Sequence, residues 1–221
     1  MVEHGIKHLF GYPDRPWKES DWTASDDRVR GGKSLSSLKV VVVEGNDTTS
    51  AATSTTSVAV FAGHLDITAL GGAGFASQRT VDDAFHPHPL DLRGYDGLLL
   101  DVDLSRTVTS KKYTLILKDT VLPKRPDGRE QSTLSWEIDF SLAEPGSSTG
   151  TLSDQEKVQL LFKDFRATYR GKPVDEPESP LDLGGIKRIS IMIRSFFGEQ
   201  EGDFELGMKS LAAIKAENNE S

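Results

Sequence analysis

The 221-residue chain contains no cysteine, which excludes disulfides, thiolate nucleophiles and cysteine-held zinc or iron–sulfur sites together. Long apolar runs are missing as well: stretches such as 40–43 and 98–100 fall far short of the roughly 20 residues that a membrane-spanning helix requires. Positive charge is the scarcer sign, with 26 Lys and Arg against 34 Asp and Glu and a formal charge of -8. Such a field repels phosphate backbones and anionic lipid, so nucleic acid is not an expected partner and membrane insertion is not expected either. The opening MVEHGIKHLFGYPDRPWKESDW balances acids and bases and is broken by Gly11, Pro13 and Pro16. It lacks a signal peptide's apolar block and the arginine-rich amphipathic pattern of a presequence. On that reading the protein is intracellular, with the cytoplasm favoured.

What the sequence does contain is β pattern. SLKVVVVEG (37–45) and SVAVFAGHLDI (57–67) flank a polar loop at 46–56; GFASQRTV (74–81), GLLLDVDL (97–104), KYTLILKD (112–119) and STLSWEIDF (132–140) follow. VQLLFKDF (158–165), RISIMIRSFF (188–197) and DFELGMKSLAAI (203–214) complete nine candidate strands, bounded by Gly, Pro or Asp. Only SDQEKV (153–158), a capping box in form, hints at a helix, and a short one. The expected fold is all-β, a β-sandwich or jelly roll with at most a short helix. Its domain is expected over 17–214, with an N-terminal extension at 1–16 and a polar tail at 215–221. Alternation turns Tyr113, Leu115 and Leu117 to one face and Thr114, Ile116 and Lys118 to a partly wet one. By the same rule Trp136, Ile138 and Phe140 point inward with Glu137 and Asp139 outward, and Ile189, Ile191 and Ile193 inward with Met192 and Arg194 opposite.

DDRVRGGKS (26–34) ends like a phosphate-binding loop. Such a loop needs its first glycine at position 27 and a helix after the Ser. Position 27 is Asp, whose carboxylate would face the phosphate, and a β run follows. GGAGFASQR (71–79) also enters a strand, so both glycine segments are expected to be turns.

Together these segments carry a resemblance. WTASDDRVRGGKS (22–34), FAGHLDI, GGAGFASQRT, LDLRGYDGLLLDV (90–102), YTLILKD (113–119), LLFKDFRATYRGKPV (161–174) and GDFELGMKSLAAI (202–214) resemble, in the same order, the landmarks of the NADH:ubiquinone oxidoreductase (complex I) intermediate-associated protein 30 family. The resemblance implies a galactose-binding-domain-like β-sandwich. It also implies an assembly-factor or chaperone role without catalysis, with assembly intermediates as protein partners and mitochondria as a second location. The stretches 46–56, 123–132 and 143–155 read as local elaborations.

For binding, the candidate residues are Trp22, Asp26, Asp27, Arg28, Gly31, Gly32, Ser34, Ser77, Arg79, Lys118, Asp119 and Arg194. Asp26 and Asp27 are a carboxylate pair for acid–base work, ligands for calcium, or turn-formers bonded to backbone, the last being the usual use of Asp before glycines. His86 and His88 in FHPHPL lack a third metal ligand nearby, and His64 fits a hydrogen-bonded strand residue. Neither Ser34 nor Ser77 has a nucleophile elbow. Arg79, Lys118 and Arg194 sit on strands opposite the apolar series, where a long cation needs a carboxylate or a ligand. Asp101, Asp103 and Asp119 are the expected cross-sheet partners. The functional alternative is a concave polar face bordered by Trp22, Tyr113 and Trp136. No catalytic residue, metal or cofactor is assigned. The expected function is a non-catalytic protein-binding module; the alternative is a β-sandwich that binds a carbohydrate or small molecule, including an enzyme that shapes a metabolite by binding.

Overall fold

The computed structural model describes residues 5–44, 55–142 and 156–215. Period-two alternation becomes thirteen strands among these residues. They are β1 (Ile6–Phe10), β2 (Trp22–Ala24), β3 (Leu35–Glu44), β4 (Thr55–Leu65), β5 (Phe75–Thr80), β6 (Gly97–Thr107), β7 (Lys112–Lys118), β8 (Ser135–Ser141), β9 (Lys157–Leu161), β10 (Arg166–Tyr169), β11 (Lys172–Pro173), β12 (Arg188–Arg194) and β13 (Gly202–Ile214). Three 3-10 turns, Glu19–Asp21, Asp27–Arg30 and Phe162–Asp164, are the helical elements seen.

Two antiparallel sheets face each other. One runs β3-β4-β13-β6-β9 with β1 also paired to β13; the other runs β11-β10-β8-β7-β12-β5-β2. The all-β sandwich expected from the sequence is the observed fold. Phe61, Leu65, Leu98 and Leu100 of the six-stranded sheet meet Tyr113, Leu117, Ile189, Ile191 and Ile193 of the seven-stranded sheet, all fully buried. Each such side chain removed from water contributes about 1.5–3 kcal/mol. Tyr113 also ties the layers: its Oη donates to the Glu205 carbonyl at 2.9 Å, and burial pushes its phenol pKa up.

Several expectations need correction. Residues 6–10 are not an extension: β1 pairs with the far end of the chain, Ile6 opposite Ile214. Thr114 and Ile116, placed on a wet face, are buried, because Thr114 donates to Asp139 at 2.6 Å and Ile116 lies opposite Glu137. Glu137 does face outward but is buried there, because Arg194 and Thr168 cover it. The run 188–197 stops as a strand at Arg194, since Phe196, Phe197 and Gly198 all take positive φ. Of the helix expected at 153–158, residues 153–155 lie outside the described residues, and Lys157 opens β9. The polar loop at 46–56 and the elaboration at 143–155 likewise fall on or run into residues that are not described.

Candidate functional site

The glycine motif builds a carboxylate hub between the sheets. Asp27, fully buried, accepts the Ser34 N–H at 3.0 Å, the Ser34 hydroxyl at 2.7 Å and the Phe75 N–H at 3.1 Å. Asp26 accepts the Ser36 hydroxyl at 2.6 Å, the Ser36 N–H at 3.1 Å and the Ser77 N–H at 2.9 Å. Asp26 therefore joins β3 to β5, one strand from each sheet, and Asp27 ties the residue just before β3 to the start of β5. A shell of donors suits a carboxylate and not a cation, which disfavours a calcium site here. Gly31 sits at φ +88° and closes the 3-10 turn, with Arg28 exposed on it. A Cβ on Gly32 would lie 2.2 Å from Asp27 Cγ. The glycines thus make room for a carboxylate, and Ser34 leads into a strand.

The outer face of the seven-stranded sheet carries the strand cations. At one end Arg194 donates to Glu137 at 2.8 Å and to Asp139 at 2.6 Å, while Thr168 donates to Glu137 at 2.6 Å. Arg194 Nε is buried without an acceptor among the described residues. Its guanidinium lies over the Phe196 ring. Here a cleft of about 830 Å³ opens beside β8 and β10, lined by Trp136, Glu137, Asp139, Arg166, Thr168 and Arg194 among others. Its size is that of a ligand site.

At the other end Arg79 and Arg188 share two carboxylates. Arg188 donates to Glu130 and to Asp82, each at 2.7 Å; Arg79 pairs with the same Glu130 and, at 3.4 Å, with Asp82. Lys118 lies directly opposite Arg188 in the sheet. Among the described residues it donates to neutral oxygens of Thr133, at 3.0 and 3.2 Å. Burial, and then the Arg188 charge, hold the Lys118 ammonium below its ordinary pKa.

Arg79, Lys118 and Arg194 therefore share a face, but not with the partners expected. Asp101 and Asp103 belong to β6 of the opposite sheet, and Asp119 accepts the Asp182 N–H at 3.0 Å. Tyr113 and Trp22 are core, Trp22 against Phe10 and Trp17, so of the three expected aromatic borders only Trp136 lines the cleft. His64 contacts Asp203 at 2.6 Å. Arg188, Glu130, Asp82 and Glu137 escaped the sequence reading. The parity that aligned Met192 with Arg194 also places Arg188 on their face; Asp82, three residues beyond Arg79, lay within reach of a local reading, while Glu130 comes from a distant loop and leaves no local signal.

A model of the family described as Complex I intermediate-associated protein 30 matches residues 9–208. An uncharacterized protein of Schizosaccharomyces pombe is 42% identical over 208 residues, covering 93% of this chain and 83% of that protein. Among solved structures, a family 11 carbohydrate-binding module from Clostridium thermocellum, in complex with a beta-1,3-1,4-mixed-linked tetrasaccharide, superposes with a TM-score of 0.55 at 14% identity, covering 96% of each chain. A solution structure of CtCBM11 gives 0.53 at 13% identity, covering 98% of this chain and 99% of that one. At those identities the likeness is one of fold.

Proposed function

The chain belongs to the complex I intermediate-associated protein 30 family, and from that premise we propose that it is a non-catalytic protein-binding module acting in assembly of a respiratory complex. The family match carries this reading. One structural feature supports it: the polar face of the larger sheet offers a cleft and a charge cluster to a partner. A mitochondrial place of action goes with it, instead of the cytoplasmic one expected from the opening residues. The test is native co-migration of a tagged chain from its own cells. Partly assembled subunits of the NADH:ubiquinone oxidoreductase should travel with it. A chain that migrates without them, in cells whose enzyme level is unchanged by its deletion, would overturn the reading.

The second reading, a polyhydroxylated ligand, draws on the cleft of about 830 Å³ and on a fold neighbour whose solved complex holds a tetrasaccharide. It is weakened by the burial of Trp22 and Tyr113, which leaves few aromatic plates for sugar rings. A glycan at 100 times its dissociation constant would add roughly 2.7 kcal/mol of stability, and a thermal-shift screen with no response would remove this alternative.

A further inference from the structure

The Arg79 end of the polar face does not balance its charge. Three cations converge there, Arg79 and Arg188 with side chains only 11% and 7% exposed and half-buried Lys118. Two carboxylates bond the arginines, Asp82 and Glu130, while Lys118 feels the charges of Glu130, Glu137 and Asp119 but, among the described residues, donates to Thr133 oxygens and to no carboxylate. An unpaired cation away from water is costly and favours any arrangement that brings a further negative group. Glu130 reaches the arginines from a loop, whereas they stand on strands. It belongs to the loop 119–134, which turns on itself through Arg125 and Arg129 and is closed at its base by Thr133 donating to the Thr120 carbonyl at 2.7 Å. It is also 38% exposed. Asp82 further lines a pocket of about 220 Å³ whose wall includes His86, His88 and Lys187, so there is space and more basic side-chain chemistry beside the cluster.

We propose that Arg79, Arg188 and Lys118 form a receptor for an acidic side chain of a protein partner, and that Glu130 is a built-in occupant which the partner's carboxylate displaces. Guanidinium forks bind carboxylates bidentately, and the present occupants are carboxylates delivered by loops, as a partner's would be. The inference rests on the protein-binding reading for the source of the carboxylate.

The experiment measures binding of a Glu- and Asp-rich peptide, with free succinate in parallel, to the full chain by fluorescence anisotropy and calorimetry. Glu130→Gln removes the competing charge, so the receptor is open in a larger fraction of molecules and apparent affinity rises in proportion. A gain of about tenfold for the peptide is expected. Adding Lys118→Met should abolish the gain, and Asp127→Asn, which removes an exposed carboxylate of the same loop that faces Arg129, should behave as wild type. Circular dichroism establishes that each variant is folded. A Glu130→Gln protein no tighter than wild type, an equal gain in Asp127→Asn, or a gain that survives Lys118→Met overturns the receptor. Succinate binding as tightly as the peptide overturns the polypeptide source. Since the probes are synthetic, failure here leaves the co-migration test untouched, and failure there leaves this one standing.

Discussion

Asp27 in the hub and Arg188 on the polar face are both almost fully buried charges, yet they are neutralised by opposite means. Asp27 is satisfied by backbone N–H groups and a serine hydroxyl of neighbouring strands, donors that cannot leave without dismantling the sheet edges. Arg188 is satisfied by side chains on loops, which can leave while the strands stay. The difference separates a charge that builds the fold from one that remains available for exchange. A charged motif in this sandwich is therefore to be judged by what supplies its counter-groups, not by its burial alone.

The sharpest way to break the comparison is Asp27→Ala. Three buried donors lose their acceptor, and denaturant unfolding should register a loss of about 3–5 kcal/mol. A loss below about 1 kcal/mol would mean that the hub does not hold the layers. Gly32→Ala comes next, at about 2 kcal/mol, because the new Cβ collides with the carboxylate. In an Asp27→Ala background that obstacle is gone and the cost should fall well below its single-mutant value; strict additivity would dissociate the glycine from the aspartate.

On the polar face the effects are smaller and depend on pH. Burial raises the Asp82 pKa, but the Arg188 hydrogen bond and charge outweigh it, and the net position is below the ordinary 3.8. A carboxyl depressed on folding contributes stability above its unfolded pKa and loses it as pH falls through the folded one. The stability gap between wild type and Arg188→Met should thus be full above 3.8 and narrow below it; a gap constant down to acid unfolding would remove Asp82 from the account. Smallest is Lys118→Met. An ammonium disfavoured by the fold weighs against stability below its folded pKa and is relieved as pH rises toward the unfolded value. Near neutrality the variant should be unchanged or up to about 1 kcal/mol more stable. A clear loss of stability would mean that Lys118 is structural.

Legibility in the sequence followed the range of the interactions. All nine long β runs appear as strands because alternation against a core is local. The short β1, β2, β10 and β11 were missed, since two to five residues carry little pattern. Turns were legible where glycine was obligatory, as at Gly31 and Gly32. Wetness was legible only in part: parity turns Glu137 and Asp139 outward and Asp139 is exposed, whereas Glu137 is buried under Arg194, the last residue of β12. Partners of strand cations were misassigned for the same reason. Asp82 lies three residues from Arg79, but the meeting of Arg79 with Glu130 is decided by the path of the loop 119–134, and nothing within a few residues of either group records that path.

The pairing of β1 with β13 brings Gly5 and Lys215 together, the Lys215 N–H donating to the Gly5 carbonyl at 3.0 Å. A short peptide can bridge those two points, so the polypeptide can be circularised, or reopened at an exposed turn such as Arg125–Arg129, without breaking the sheet order. Opening it there would sever the loop that carries Glu130 while leaving every strand in register.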